Sequence, residues 1–90
     1  MKKYQLEIKK SVLGQIALLP GRYRQRVQRT IAALATNPRP HQAEPLRTFP
    51  DRYRIRLDEY RIVYRIEDDL LIVEVVKVGR KHGPEFYENL

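Results

Sequence analysis

Two neighbouring segments of the sequence place arginine at alternate positions. Residues 52–57 and 60–66 each alternate charged with apolar side chains, and only Asp58 and Glu59 separate the two segments. Alternation of period two predicts β-strands, and a two-residue connection predicts a hairpin. One face of this hairpin would carry five arginines and no acidic side chain: Arg52, Arg54, Arg56, Arg61 and Arg65.

The length of the loop also predicts the register of the hairpin. The Asp-Glu dipeptide is unfavourable for a type I′ turn, which requires positive φ at both central residues. With a two-residue loop the expected pairs are Leu57 with Tyr60, Arg56 with Arg61, Ile55 with Ile62, and Arg54 with Val63.

An all-arginine face favours a binding function. Directly opposed like charges destabilise a sheet by a few tenths to about 1 kcal/mol per pair. The guanidinium group matches phosphate oxygens in a bidentate manner and stays charged. The alternative is a solvated outer face that discourages aggregation, although mixed lysine and glutamate would serve that purpose equally well.

Composition limits the remaining classes of function. The 90 residues include 18 Lys or Arg and 11 Asp or Glu, a formal net charge of +7 that favours a polyanionic partner. The absence of cysteine excludes disulfides, thiol catalysis and Cys-ligated zinc. A small core leaves little room for a cofactor pocket, so no cofactor is expected. Without a long apolar run or a signal peptide, we expect a cytoplasmic protein that does not bind membranes.

The order of the predicted elements indicates an α+β fold in a single domain over residues 1–90. A strand at residues 4–8 precedes two helices, the first ended by Pro20-Gly21 and the second by Asn37-Pro38. Residues 38–50 read as a Pro-rich loop with a possible short strand around Leu46. The arginine hairpin and an apolar strand at residues 70–78 complete a three-stranded antiparallel meander, with both helices on one sheet face. A helical turn with Pro84 at its first position ends the pattern.

Several further residues could act in binding or in proton transfer. Lys77, near the end of the last predicted strand, adds a cation, and Arg80 and Lys81 after that strand add two more. His82 follows Lys81, and histidine is the side chain that ordinarily exchanges protons near neutral pH. Phe86 can supply packing and leave Tyr87 to face the basic surface. The second helix carries arginines that suit either a solvated face or a second contact surface for RNA or an acidic protein: Arg22, Arg24, Arg26 and Arg29.

Other candidates favour structural interpretations. Glu67, Asp68 and Asp69 are typical of a polar turn, and Glu74 has no further ligands on its strand, so no metal site is predicted. His41 lies in the Pro-rich loop without a partner at ligand spacing. Tyrosines on the apolar side of their elements are predicted to be core residues: Tyr23, Tyr53, Tyr60 and Tyr64.

The sequence resembles the RelE/ParE family of toxins from bacterial toxin–antitoxin pairs. The resemblance rests on YRIRL at residues 53–57, YRIVY at residues 60–64, VGRK at residues 78–81 and Tyr87, and it extends over nearly the whole chain. In the RelE branch it implies a toxin that cleaves mRNA without a metal in the ribosomal decoding site. The ribose 2′-hydroxyl attacks the neighbouring phosphate, which leaves a 2′,3′-cyclic phosphate and a 5′-hydroxyl. An antitoxin that covers the basic face is also implied.

The resemblance assigns roles position by position. Arg54 and Arg56 fall where the branch has two basic residues, often lysines; Arg61 matches an arginine that holds phosphate, and Tyr87 matches a tyrosine that stacks on a base. Lys81 stands where an arginine assists the leaving group. Because arginine is a very weak proton acceptor, we hypothesise that His82 transfers the proton; the alternative is a solvated turn histidine. Arg52, Arg65 and Arg80 are expected to contact RNA phosphates.

Two other functions stay open at the level of sequence. A ParE-like inhibitor of DNA gyrase would bind its protein target and need no nuclease chemistry. A non-catalytic RNA-binding module would need the charge and the stacking tyrosine but no proton-transfer group.

Overall fold

The computed structural model describes residues 3–88 and 90. In chain order the elements are β1 (Gln5–Ile8), α1 (Lys10–Ala17), α2 (Gly21–Ala33), β2 (Ala43–Leu46), β3 (Phe49–Leu57), β4 (Tyr60–Glu67), β5 (Ile72–Arg80) and a 3-10 turn (Pro84–Tyr87). The predicted α+β class is confirmed. The short strand near Leu46 is present as β2, and β3 begins at Phe49, within the segment that the sequence assigned to a loop.

The sheet has five strands in the order β1-β5-β4-β3-β2. The three strands of the meander pair antiparallel as predicted, and β2 adds antiparallel to the free side of β3. β1 pairs parallel with β5, so the sheet is mixed. Pro45 is tolerated in β2 because this strand lies at the edge of the sheet, where one side of the backbone needs no partner.

The predicted register of the arginine hairpin is confirmed, and it continues to Arg52 opposite Arg65. Of the two loop residues only Asp58 has a positive φ, at 57°. The loop is fixed from outside, since the Asp58 carboxylate accepts hydrogen bonds from Tyr23 Oη at 2.7 Å and Arg26 Nη1 at 3.2 Å. α2 therefore stabilises a turn that the Asp-Glu dipeptide alone would not favour.

The main core lies between the two helices and one face of the sheet. Val12 and Ile16 of α1 and Val27 and Ile31 of α2 pack there against apolar residues of the central strands. Tyr64 is fully buried, and its hydroxyl donates to the Pro38 carbonyl at 2.7 Å. The four tyrosines predicted to be core residues all belong to this cluster or pack against it.

The opposite face of the sheet has a smaller core beneath the 3-10 turn. Phe86 is buried there with Leu46, Val63 and Val76, and Tyr87 packs against this group. β5 carries one extra residue, Val76, at the bulge opposite Val63 and Tyr64. The residues after β5 thus fold back over the face that carries the arginines. Among the described residues, no helix is long and apolar enough to cross a membrane.

Candidate functional site

The arginines of β3 and β4 occupy one sheet face, but their surroundings differ along it. We call Arg52 and Arg65 the paired end, and Arg56 and Arg61, next to the hairpin loop, the open end. The two arginines of each pair lie directly opposite each other on β3 and β4. Arg54 lies between the two ends on β3.

Acidic side chains and a carbonyl occupy the paired end. Arg65 donates to Glu67 at 2.7 Å and to Glu74 at 3.2 Å. Partial burial alone would lower the pKa of Arg65, but the hydrogen bonds to these glutamates outweigh it and raise the pKa. Arg52 forms an ion pair with Asp51 at 2.7 Å and donates to the Leu90 carbonyl at 3.1 Å. The expectation of a face without acidic side chains is therefore wrong at this end, because Glu74 of β5 points to the same side.

The open end contains no acidic partner among the described residues. Arg61 Nη1 donates to the backbone carbonyls of Asp58 at 2.7 Å and Tyr60 at 2.9 Å, which fixes its position without neutralising its charge. Arg56 is exposed and forms no ion pair with the described residues. Two full positive charges are thus available to an external anion.

Tyr87 lies between two cations beside the open end. Its ring centroid is 5.6 Å from the Arg54 guanidinium carbon and 5.4 Å from Lys81 Nζ. Lys81 is held next to the hairpin loop because its backbone N–H donates to the Glu59 carbonyl at 2.9 Å. Phe86 is buried and Tyr87 faces the basic surface, the arrangement that the sequence predicted for the two rings.

A cleft of about 370 Å³ opens between Tyr87 and the β2–β3 connection. Its size falls within the usual range for small-ligand sites. The lining residues are Glu44, Pro45, Leu46, Arg47, Thr48, Arg54 and Tyr87.

Glu44 is a site residue that the sequence did not reveal. It lies opposite Arg54 in the β2–β3 pair, and its carboxylate approaches Arg54 Nη2 at 3.4 Å. The only sequence signal was a short strand around Leu46. Without the pairing of that strand, Glu44 could not be placed against any arginine.

Unsatisfied donors are concentrated on the arginine face. Within residues 3–88 and 90, four buried polar side-chain atoms have no hydrogen-bond partner, namely Nε of Arg52, Arg54 and Arg61 and Oη of Tyr87. Native proteins satisfy nearly all buried polar groups, so a cluster of exceptions calls for a physical reason. Three of these four atoms belong to arginines of the sheet face, so this face keeps positive charge that the described acceptors of the protein do not fully satisfy.

Two predicted residues lie apart from this arrangement. Arg80 pairs with Tyr60 and therefore projects to the helix side of the sheet, where it forms an ion pair with Glu59 at 2.6 Å. The structure does not bring it to the arginine face. His82 is exposed beside Lys81, and its imidazole has no hydrogen bond or ion pair with the described residues. No group of three or more His, Asp or Glu side chains that could hold a metal occurs in the part of the chain that the structure describes.

Comparisons with known proteins agree on one family. The family model described as the ParE toxin of the type II toxin–antitoxin system matches residues 5–83. The mRNA interferase toxin RelE of Escherichia coli K12 is 30% identical over 86 residues, which cover 93% of this chain and 90% of the relative. A free mutant form of E. coli RelE superposes with a TM-score of 0.78 at 29% identity, covering 94% of this chain and 90% of the other. The toxin in the intact E. coli RelBE toxin–antitoxin complex gives a TM-score of 0.76 at 28% identity, covering 89% and 99%. The chain therefore belongs to the RelE/ParE family of toxins from type II toxin–antitoxin systems.

Proposed function

We propose that this protein is the toxin of a toxin–antitoxin pair and that it cleaves mRNA without a metal ion in the decoding site of the ribosome. The observation that carries the proposal is the open end beside Tyr87, with two uncompensated arginines next to an aromatic ring that borders a cleft. The similarity to an mRNA interferase supports RNA as the substrate. A cytoplasmic location follows from the proposed substrate.

The proposed reaction is an internal transfer of the phosphodiester. The ribose 2′-oxygen loses its proton and attacks the adjacent phosphorus, while the bond from phosphorus to the 5′-oxygen of the next nucleotide breaks. The 5′-oxygen takes up a proton. The products carry a 2′,3′-cyclic phosphate and a 5′-hydroxyl, and the reaction needs a proton acceptor, cations for the phosphorane and a proton donor.

The open end supplies the cations. Arg61 is fixed by two backbone carbonyls, so its remaining N–H groups are oriented before the substrate arrives. Such preorganised charge stabilises a transition state most effectively. Arg56 faces Arg61 directly and adds a second charge for the non-bridging oxygens. Lys81, held at the hairpin loop, can donate a proton to the leaving oxygen.

Tyr87 provides a platform for a base. Aromatic side chains hold single-stranded RNA by stacking on splayed bases. The cations beside the ring, Arg54 and Lys81, would attract the phosphates that flank the stacked base. This arrangement fixes the ribose and the phosphate relative to the open end.

Glu44 is the best-placed proton acceptor of the cleft. It contributes the only carboxylate among the lining residues, and Arg54 at 3.4 Å offsets its repulsion of the phosphate. Arg56 stays protonated and cannot serve in this role. His82 is exposed beside Lys81 and stays the alternative proton-transfer group.

An antitoxin is the proposed protein partner. The structural relatives include a toxin in complex with its antitoxin. The net charge of +7 suits a partner with acidic or amphipathic segments, and such a partner would block the open end by charge complementarity.

A second candidate function comes from the matching family model, which is that of ParE toxins. In that case the chain would inhibit DNA gyrase by binding it. The open end, Glu44 and Tyr87 would then have no catalytic task.

Brief expression followed by mapping of mRNA ends, with plasmid supercoiling measured in parallel, distinguishes these functions. We expect new mRNA ends within codons, 2′,3′-cyclic phosphates at the upstream fragments and unchanged supercoiling. Glu44→Gln should lower the cleavage rate by about 10²–10⁴-fold, the usual contribution of a proton-transfer group. Intact mRNA with altered supercoiling would refute the proposal in favour of gyrase inhibition.

His82→Ala is the matched variant for the proton acceptor. If it retains the cleavage rate and the pH profile while Glu44→Gln does not, Glu44 is the acceptor. The reverse result would assign the role to His82.

A further inference from the structure

The outer side of α2 carries a second cationic cleft, on the other side of the sheet from Tyr87. Arg22, Arg26 and Arg29 follow one another at intervals of four and three residues, so they share one side of the helix. With Tyr23 and Asp58 they line a cleft of about 360 Å³, which we call the α2 cleft.

The α2 cleft already holds one oxyanion. The Asp58 carboxylate accepts hydrogen bonds from Tyr23 Oη at 2.7 Å and from Arg26 Nη1 at 3.2 Å. The Tyr23 hydroxyl, and after it Arg26, keep the pKa of Asp58 below its usual value. Tyr23 and Arg26 are therefore oriented toward a negatively charged oxygen in this cleft.

Two further cations in the cleft are not neutralised. Arg22 and Arg29 are exposed and form no ion pair with the described residues. The guanidinium carbon of Arg22 lies 5.2 Å from the Tyr23 ring centroid, which restricts its position. One carboxylate thus serves three arginines, and a net charge of two is left for a ligand.

The lining of the α2 cleft favours a phosphate backbone over a protein. No aliphatic side chain takes part in it. The neighbouring groove between β1, α1 and α2 has the opposite character, with Leu6, Leu13 and Ile31 in its lining. An amphipathic protein segment would find aliphatic contacts there, whereas the lining of the α2 cleft consists of three arginines, Tyr23 and Asp58.

The hairpin loop connects the α2 cleft with the open end. The Asp58 carboxylate lies in the α2 cleft, while its backbone carbonyl accepts a hydrogen bond from Arg61 at 2.7 Å. The two cationic sites therefore lie on either side of one turn. A large folded RNA can contact both sites at once.

We propose that the α2 cleft is a second phosphate-binding site, which takes phosphodiester groups of a folded RNA outside the segment that is cleaved. The choice of RNA rests on the proposed function; the anion-binding character of the cleft does not. The site holds the RNA that surrounds the substrate and leaves the reacting phosphate to the open end.

The test measures binding of an uncleavable RNA hairpin by fluorescence anisotropy over a range of salt concentrations. All riboses of the hairpin are 2′-O-methylated, which blocks the RNA nucleophile. The full-length protein can therefore be used without cleavage of the RNA. Arg22→Gln combined with Arg29→Gln should weaken binding roughly tenfold at moderate salt. The slope of log K against log salt should fall by about 0.7 to 0.9 for each phosphate that the variant no longer neutralises.

A matched control removes the same charge from outside the cleft. Lys10→Gln combined with Arg24→Gln alters exposed residues of α1 and α2 that do not line it. This control should leave the slope nearly unchanged. Arg22→Lys combined with Arg29→Lys keeps both charges and should give the same slope as the unaltered protein. Equal losses in the Arg22/Arg29 and Lys10/Arg24 variants would overturn the proposal, because only net charge would then matter. The proposal would also be overturned if binding of an acidic peptide depended on Arg22 and Arg29 while binding of the RNA hairpin did not.

The outcome is distinguishable from failure of the proposed function. Cleavage of mRNA on ribosomes is measured separately, and the hairpin experiment needs no turnover. A protein that cuts no mRNA but shows the predicted slopes would refute nuclease activity and support the α2 cleft. A protein that cuts mRNA but does not show the predicted slopes would refute phosphate binding in the α2 cleft and leave the proposed function unaffected.

Discussion

The two ends of the arginine face carry the same pair of residues in the same register, yet they differ in their surroundings. At the paired end, Arg65 contacts two glutamates and Arg52 contacts Asp51 and the Leu90 carbonyl. At the open end, Arg61 contacts only backbone carbonyls and Arg56 is exposed. Five arginines on one face therefore do not make one site.

The position of acidic side chains decides which arginines can bind a ligand. Glu74 comes from β5 and Glu67 from the end of β4, so both reach the paired end and neither reaches the open end. The paired end stabilises the sheet with ion pairs in which the two arginines are largely buried, while Asp51 and Glu67 stay partly exposed. The open end keeps opposed like charges, which cost stability and favour an anion.

The largest expected difference between the ends is in catalysis. Arg61→Ala should lower the rate of mRNA cleavage by about 10²–10³-fold, because it removes a fixed donor from the developing phosphorane. Arg65→Ala should lower it by less than about tenfold, since this arginine is already neutralised. Single-turnover cleavage on ribosome complexes measures both. Equal losses in the two variants would contradict the distinction between the ends.

Tyr87 gives the next effect, through the cleft next to the open end. Tyr87→Ala should weaken substrate binding by about fivefold to 150-fold, the range expected for one base–aromatic stack. Tyr87→Phe keeps the ring and removes a hydroxyl that has no partner, so it should leave stability unchanged or raise it by about 1 kcal/mol. Substrate titrations and denaturant unfolding check the two variants. A Tyr87→Phe protein that binds RNA as poorly as Tyr87→Ala would exclude stacking as the role of the ring.

The free energy of unfolding should depend more on the paired end than on the open end, the reverse of the order expected for the cleavage rate. Arg65→Ala leaves Glu67 and Glu74 without their cation and should lower the free energy of unfolding by about 1–2 kcal/mol. Arg56→Ala removes an exposed charge without an ion pair and should change it by less than about 0.5 kcal/mol. Urea unfolding of both variants tests the contrast, which fails if Arg56→Ala is the more destabilising.

One substitution should give the paired end part of the uncompensated positive charge that the open end has. Glu74→Gln removes one of the two acids that neutralise Arg65 and should tighten binding of an uncleavable RNA by about twofold to fivefold. Anisotropy titrations at low salt are the measurement. Asp69→Asn removes an exposed acid of the β4–β5 turn and serves as the charge-matched control. An equal gain in both variants would show that net charge alone is responsible.

The smallest effect concerns the loop that fixes the open end. The Tyr23 hydroxyl and then Arg26 lower the pKa of Asp58 from its ordinary value of 3.8. The resulting stability is present above that value and is lost as the pH falls through the lower pKa of the folded state. Asp58→Asn should therefore lower Tm at neutral pH, and the difference should shrink as the pH falls below 3.8. A constant difference across that range would show that the carboxylate charge contributes nothing.

Local patterns in the sequence were sufficient to predict the arginine hairpin. Alternation of period two and a two-residue loop fix which side chains share a face, so the register through Arg56 and Arg61 followed directly. The role of Phe86 as the buried partner of Tyr87 also followed from the sequence. These predictions depend on neighbours along the chain.

Features that depend on distant pairing could not be predicted. The parallel pairing of β1 with β5 and the contact of Glu44 with Arg54 join segments whose sequences give no information on register. The sequence could not assign Arg80 to a sheet face, because β5 is apolar on nearly every position and contains a bulge at Val76, which together hide the alternation. Glu74 of the paired end was missed for the same reason, since it belongs to that strand, and Glu67 was missed because it was assigned to the turn before it.

The pairing of β1 with β5 also determines when the protein can complete its fold during synthesis. β1 is made first, but its neighbour in the sheet is made only after both helices and three other strands. The 3-10 turn that carries Tyr87 begins four residues after β5 ends, so the cleft is completed soon after the main core. A nascent chain that stops before β5 lacks both. The proposed site therefore forms only after β5 and the 3-10 turn have been made.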